Sequence, residues 1–309
     1  MGKVDTLTKN YMSDPSRFAD AFNYYFFDGK KVIDSGNLEV MDPTEMEAIF
    51  DNKSKEIIQK FRDILKSAIL MEDDKYSYLI LGIENQTEVH YAMPVKTMLY
   101  DALNYSAQVS EVAKMHRKNK DVKSGGEFLS GFKRTDKIKP VVTLTIYWGD
   151  KEWDAPRSLK EMFDDNEDER SKLANDYELN LIIPKEIKDF SKFSSSFGTA
   201  MRYISASKDK KLLQEIVDDV KYRSLDIETA KLLNICMGLK LNIKKGQEVF
   251  DMCEALKQLK DENFNDGIFD VISRMLKRGK SIQDIVEDTG YEVVKVQAIA
   301  DALANADNQ

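Results

Sequence analysis

The sequence predicts an α/β fold, a mixed sheet flanked by helices and followed by a mostly helical C-terminal region. Three observations predict it. Pro15 to Phe27 carries Phe18, Ala21, Phe22, Tyr25 and Phe26 at helical spacing. Tyr78-Leu79-Ile80-Leu81-Gly82-Ile83-Glu84 is an apolar run with the length and composition of a buried strand. From Pro184 onward the patterns are helical almost to the end. The order along the chain is two helices, two strands, a helix, two strands and then helices, which implies an α/β core.

The elements follow in order. Gly29 ends the first amphipathic helix, and Thr44 to Phe61 forms a second helical pattern. Asp63 to Met71 pairs with the strand through Glu84, with Glu72-Asp73-Asp74-Lys75 as the hairpin turn. Pro94 stands near the start of the next helix, where a missing N–H costs least. Met98, Ala102, Tyr105, Val109, Val112 and His116 follow on one stripe, which is expected to pack on the sheet. The Gly125-Gly126 to Gly131 region reads as a flexible connection. Val141 to Trp148 and Glu178 to Ile183 read as further strands.

Composition narrows the function classes. With 309 residues, 42% hydrophobic and 32% charged, the chain has the make-up of an ordinary globular protein of about two domains. No apolar run approaches the roughly 20 residues a bilayer requires, and Met1-Gly2-Lys3-Val4-Asp5 lacks the apolar region of a signal peptide, so a cytoplasmic location and no membrane partner are expected. The two cysteines, Cys236 and Cys253, lie in helical patterns and read as buried reduced thiols. His90 and His116 are the only histidines, and neither has a Cys or His at metal-ligand spacing, which disfavours zinc. Neither GxxxxGK[ST] nor GxSxG occurs. Catalysis, if present, therefore leans on carboxylates.

The hairpin register brings two carboxylates together. With Asp73-Asp74 at the turn, paired residue numbers sum to 147, and Asp63 falls opposite Glu84. Cross-strand Cβ atoms lie about 5 Å apart, close enough for both acids to bind one divalent metal. Strand alternation puts Gln86 on the face of Glu84 and turns Leu79, Leu81 and Ile83 to the other. Such a metal lowers the pKa of bound water and neutralises charge developing during phosphodiester hydrolysis. Oxygen ligands without sulfur or imidazole favour Mg²⁺ or Mn²⁺. On spacing alone, Asp63 as a turn acid and Glu84 as an exposed strand residue remains the alternative.

A basic stretch offers phosphate contacts. The net charge of -8 excludes a uniformly basic surface. Between Glu111 and Lys139, however, Lys114, Arg117, Lys118, Lys120, Lys123, Lys133, Arg134, Lys137 and Lys139 face only four acids, Glu111, Asp121, Glu127 and Asp136. They read either as DNA-binding cations or as a solvated helix end. Glu161 to Glu178 is acid-rich and faces solvent away from any nucleic acid.

Blocks of residues carry a family resemblance. These are Phe18-Ala-Asp-Ala-Phe-Asn23, Arg62-Asp63, Tyr78 to Thr87, Ala92-Met-Pro-Val-Lys-Thr-Met-Leu-Tyr100-Asp101-Ala-Leu-Asn-Tyr105, Lys139 to Tyr147, Trp153-Asp154-Ala-Pro156 and Ser158-Leu159. Together the chain resembles the Rpn family of recombination-promoting nucleases and putative transposases. The resemblance covers most of the chain and is least specific over the last fifty or so residues. It implies a restriction-endonuclease-like PD-(D/E)xK core, Mg²⁺-dependent DNA cleavage with little sequence specificity, and a role in recombination or mobile DNA. On that pattern Asp63 and Glu84 correspond to the metal-binding acids. Gln86 stands where many PD-(D/E)xK enzymes have lysine, as is usual in this family, and its amide can orient water but not act as a base. Lys96 stands where relatives usually have arginine, and either contacts the scissile phosphate or is a surface lysine. Asp20 matches the first-helix motif, either as an accessory metal acid or as a structural hydrogen-bond acceptor. The rival class is a nuclease fold kept as a DNA-binding or protein-interaction module with cleavage weak or lost, for example in phage defence.

The resemblance divides the chain into a nuclease core over residues 1–185, a helical extension over 186–260 and a small helical segment over 261–309. The last has the outline of a helix-turn-helix, with Ser281 and Asp284 as a capping box and Gly290 in the turn. Its second helix begins Glu292-Val293-Val294-Lys295 and holds no arginine, which favours a small helical bundle over groove reading. Ile282, Ile285, Val286, Val293, Val296 and Ile299 exceed what so short a segment buries alone, so a homodimer contact is expected here.

Overall fold

The computed structural model describes residues 3–41, 64–72, 75–164, 171–244 and 246–306. Two compact units emerge, Met1–Leu239 with Lys245–Phe250, and Lys240–Lys244 with Asp251–Gln309. No helix among the described residues is long and apolar enough to cross a membrane.

The first unit opens with α1 (Lys3–Met12) and α2 (Pro15–Phe27). Asp14 starts α2 by accepting from the Ser16 and Arg17 amides, and Pro15 takes the first helical position, where no N–H is missed. The helix ends at Asp28, in the left-handed conformation with φ 54°, followed by Gly29 with φ 81°. A Cβ on Gly29 would lie 2.5 Å from the Lys192 carbonyl oxygen, so only glycine fits. The aromatic face is real but shallower than the spacing suggests: Phe18, Ala21 and Phe22 are buried, whereas Tyr25 and Phe26 are exposed.

Five strands follow in sheet order β1-β2-β3-β4-β5: Leu38–Val40, Ile64–Glu72, Lys75–Gln86, Val141–Tyr147 and Asn180–Ile182. β1, β2 and β3 run antiparallel, and β4 and β5 add in parallel. The β2–β3 register is the expected one, from Glu72 opposite Lys75 to Ile64 opposite Ile83. β1 was not foreseen, and the helical pattern at Thr44 to Phe61 lies outside the described residues.

One sheet face carries Lys66, Leu81, Ile83, Leu144 and Ile146, all buried. Lys66 donates to the Ser13 carbonyl at 2.8 Å and lies 4.7 Å above the Phe18 ring, so α2 covers this face. Trp148, just past β4, packs edge-on to Tyr11 of α1 and to Phe197 of α5 (Ser196–Ser205). Each such buried apolar side chain contributes about 1.5–3 kcal/mol.

α3 (Met93–Asn119) covers the opposite face, where Ala107 packs with Leu65, Ile80 and Val141. The expected stripe on α3 is rotated from the one seen. Ala102 is exposed, while Thr97, Tyr100, Asp101, Asn104, Ala107, Ala113 and His116 are buried. The strands opposite present Gly82, Glu84, Thr143 and Thr145, so polar partners rather than apolar periodicity orient this helix. The connection expected to be flexible contains α4 (Gly125–Ser130), started by a Ser124–Glu127 capping box.

The chain continues through α5, α6 (Lys210–Asp218), α7 (Val220–Arg223), β6 (Ser224–Asp226) and α8 (Ile227–Cys236). β6 pairs with β7 (Val249–Asp251), a ladder that the helical patterns hid. Both cysteines are unbridged and half-buried, and burial pushes the Cys236 thiol up to about 12.

The second unit consists of α9 (Met252–Lys277), α10 (Ile282–Thr289) and α11 (Val293–Ala306). Ser281 and Asp284 form both bonds of the capping box, and Gly290 ends α10 at φ 68°. Ile272, Ile285 and Val296 form a buried core, with Met275, Leu276, Ile282, Val286, Tyr291 and Ile299 against it. Apolar side chains that were expected to need a second copy are thus largely consumed within the unit. Val293 and Val294 remain exposed.

Candidate active site

Glu84 stands near the end of β3, opposite Thr145 of β4, and only 1% of it is exposed. The reading of Glu84 as an exposed strand residue is therefore wrong. Strand alternation sets Glu84, Gln86 and Gly82 on the face covered by α3, with Thr143, Thr145 and Tyr147 beside them. Asn85 points to the other side and accepts from the Trp148 indole at 2.8 Å.

The first turn of α3 supplies the counter-charge. Lys96 Nζ lies 3.1 Å from Glu84 Oε2, with the lysine side chain 21% exposed and the glutamate 2%. Lys96 is neither a free surface lysine nor an isolated phosphate ligand: it faces the buried acid. The N-terminal turn of a helix also presents free amides and positive potential, which favour an anion. The Lys96 ammonium stands 5.9 Å from the Tyr100 ring. His90 is held below the ordinary histidine range, first by burial and then by Lys96. Its Nδ1 accepts from the Ala92 amide at 3.2 Å, as a neutral imidazole does.

A buried polar network continues along α3. Asp101 accepts from the Thr143 hydroxyl at 2.6 Å and from the Tyr177 hydroxyl at 2.7 Å. Asn104 Nδ2 donates to the Tyr100 carbonyl at 2.9 Å. Tyr147 is fully buried beside Trp153, and burial first, then Glu88 and Asp150, raises its phenol. Thr143, Thr145, Asp101 and Tyr177 were missed as site neighbours. The period-two placement of Thr143, Thr145 and Tyr147 in V-V-T-L-T-I-Y is the signal that would have found them.

Asp63 lies outside the described residues, immediately before Ile64. Among the described residues no three His, Cys, Asp or Glu side chains form a group that could hold a metal ion. The donors near β3, the Glu84 carboxylate and the Gln86 amide, are hard oxygens of the kind Mg²⁺ takes.

Asp20 does not join this site. Its two oxygens accept from the Ser194 amide and hydroxyl, both at 2.9 Å, and from the Ser195 amide and hydroxyl at 2.9 and 2.6 Å. It anchors the approach to α5 from α2, which covers the other sheet face, so the accessory metal role gives way to the structural one.

The basic stretch gathers at the far end of α3. Lys114, Arg117, Lys118, Lys120, Lys123 and Arg134 are exposed. Lys133 differs, because its ammonium is 2.6 Å from Asp121 and half-buried. Lys114 in turn lies 3.8 Å from Glu111. No protein-family model matches the chain, and no curated protein and no solved structure matches it.

Proposed function

We propose that the protein is a divalent-metal-dependent DNA endonuclease with a PD-(D/E)xK core, in which Asp63 and Glu84 hold Mg²⁺ or Mn²⁺. The observation that carries the reading is Glu84, a carboxylate sealed from water beside Lys96 on a central strand. A buried charge is expensive and persists where it is paired or has work to do. The hairpin register from Ile64 to Glu72, the parallel β4 and the sequence resemblance to Rpn nucleases support the same reading. Held by Asp63 and Glu84, such a metal would lower the pKa of a bound water and offset charge on the transition state. Gln86 would orient that water, and Lys96, 3.1 Å from Glu84, would stand within reach of the scissile phosphate. A role in recombination or mobile DNA belongs to the same proposal.

The Lys96–Glu84 pair also favours a second reading, since an acid already neutralised by lysine suits a binding module in which cleavage is lost. Incubation of the purified protein with supercoiled plasmid and Mg²⁺ separates them. Nicking that disappears in Glu84→Gln supports the nuclease; metal-independent binding without nicking supports the module.

A further inference from the structure

α4 displays two large apolar side chains to water, Phe128 at 82% and Leu129 at 90% exposure. They stand on a well-built support. Ser124 and Glu127 cap the helix, the Ser130 hydroxyl donates to the Gly126 carbonyl at 3.0 Å, and Gly131 ends it at φ 67°. A Cβ on Gly131 would lie 2.6 Å from Ala113 Cβ, so the segment rests directly on α3. Buried His116 of α3 then bridges Asp121 at 2.8 Å and Asp136 at 2.9 Å, fixing both ends of the loop.

Charge is distributed unevenly around this pair. Asp121 and Asp136 are consumed by His116 and Lys133, and Glu127 by the helix cap. Lys114, Arg117, Lys118, Lys120, Lys123, Arg134, Lys137 and Lys139 are all exposed. The fourth acid of the stretch, Glu111, lies 3.8 Å from Lys114, so an ordered arm presents an apolar tip flanked by a marked excess of cations. Resting on the nuclease reading above, we propose that this arm is a second DNA contact, in which the lysines and arginines hold backbone phosphates and Phe128–Leu129 wedges against the bases. Adjacent apolar side chains flanked by cations are how proteins unstack a base step. An anionic membrane is the weaker fit, because two side chains on a helix of six residues offer little of the apolar face that interfacial helices bury. The arm is remote from Glu84: Lys96 and Lys118 are 22 positions apart on α3, which at 1.5 Å per residue is about 33 Å.

The test uses the full chain, a fluorescent duplex of thirty base pairs and vesicles of phosphatidylglycerol and phosphatidylcholine. Phe128→Ser with Leu129→Ser, at positions that pack on almost nothing, should weaken duplex binding about tenfold with the salt dependence retained, since one base contact of this kind is worth that much. Lys118→Glu with Lys120→Glu and Lys123→Glu should lower the slope of log affinity against log salt by about 3. Wild-type duplex affinity in the double variant overturns the proposal. So does vesicle flotation that the double variant loses while its duplex affinity holds, which assigns the tip to lipid. The two readings fail separately: arm-dependent duplex binding by a wild-type protein that never nicks DNA overturns the nuclease alone, whereas nicking that Glu84→Gln abolishes, beside unchanged duplex affinity in Phe128→Ser with Leu129→Ser, overturns the arm alone.

Discussion

Glu84 and Lys96 differ in their access to water, and that asymmetry sets the effect of changing each. Lys96→Met leaves a carboxylate that is 2% exposed without its ammonium, which costs about 1–3 kcal/mol after allowance for the lysine's partial exposure. Glu84→Gln leaves a lysine able to reach solvent, so its thermal midpoint should stay within a few degrees of wild type. Melting curves of the two variants check this, and equal losses would contradict it. The same lysine acts on His90. With only two histidines in the chain, proton NMR should resolve one titration below 6.5, from His90, and one above it, from His116. Lys96→Met should move the lower one upward.

His116 is raised first by its bond to Asp136 and then by Asp121, against burial. Its contribution to stability is therefore complete below 6.5 and drains as pH rises through the elevated value. Asp121 and Asp136 are lowered, by Lys133 and His116 among others, so their contribution is present above 3.8 and lost as pH falls through the depressed values. The clamp on the basic arm is tightest between about pH 4 and 6.5. Protection factors of the amides in 121–136, taken against the intrinsic rate at each pH, should fall at pH 8 relative to pH 6, and unchanged protection factors across that range would contradict the clamp.

Elements were legible where one physical rule governed them. The β2–β3 register followed from alternation about the Asp73-Asp74 turn expected from the sequence, and α2 from the aromatic spacing over Pro15 to Phe27 and the stop at Gly29. α3 was legible in extent but not in rotation, because Asp101 and Thr143 recognise each other across the interface and hydrophobic periodicity cannot see a hydrogen bond. β1 and β6 are three residues each, too short for any periodicity to register. The Gly125–Gly131 segment read as loose from its glycines, yet the Ser124 cap and the contact of Gly131 with Ala113 order it. Gly131→Ala combines a strained φ of 67° with a 2.6 Å approach, so it should destabilise α4 by about 1–3 kcal/mol. Faster exchange confined to 121–136 checks it, and unchanged protection there would contradict it.

At the scale of the whole molecule, the two units have separate cores, one on the five-stranded sheet and one around Ile272, Ile285 and Val296. The chain ending at Phe250 should therefore keep the cooperative melt of the first unit by circular dichroism, and loss of that transition would contradict separate cores. The case for a homodimer weakens for the same reason, since the apolar positions of α10 and α11 that prompted it are mostly packed at home. Glu84 and Gln86 were expected on one strand face from alternation, and Lys96 was singled out only through the family resemblance; the burial of Glu84 and its pairing with Lys96 are properties of the fold alone.

If buried Glu84 serves metal-dependent phosphodiester hydrolysis, cleavage must need both the metal and this carboxylate. The decisive measurement is supercoiled plasmid incubated with the full chain, with and without Mg²⁺, beside Glu84→Gln. Nicked and linear DNA should form only with metal and only in the wild type; intact plasmid in every lane, or equal cutting by Glu84→Gln, would rule out that role for Glu84.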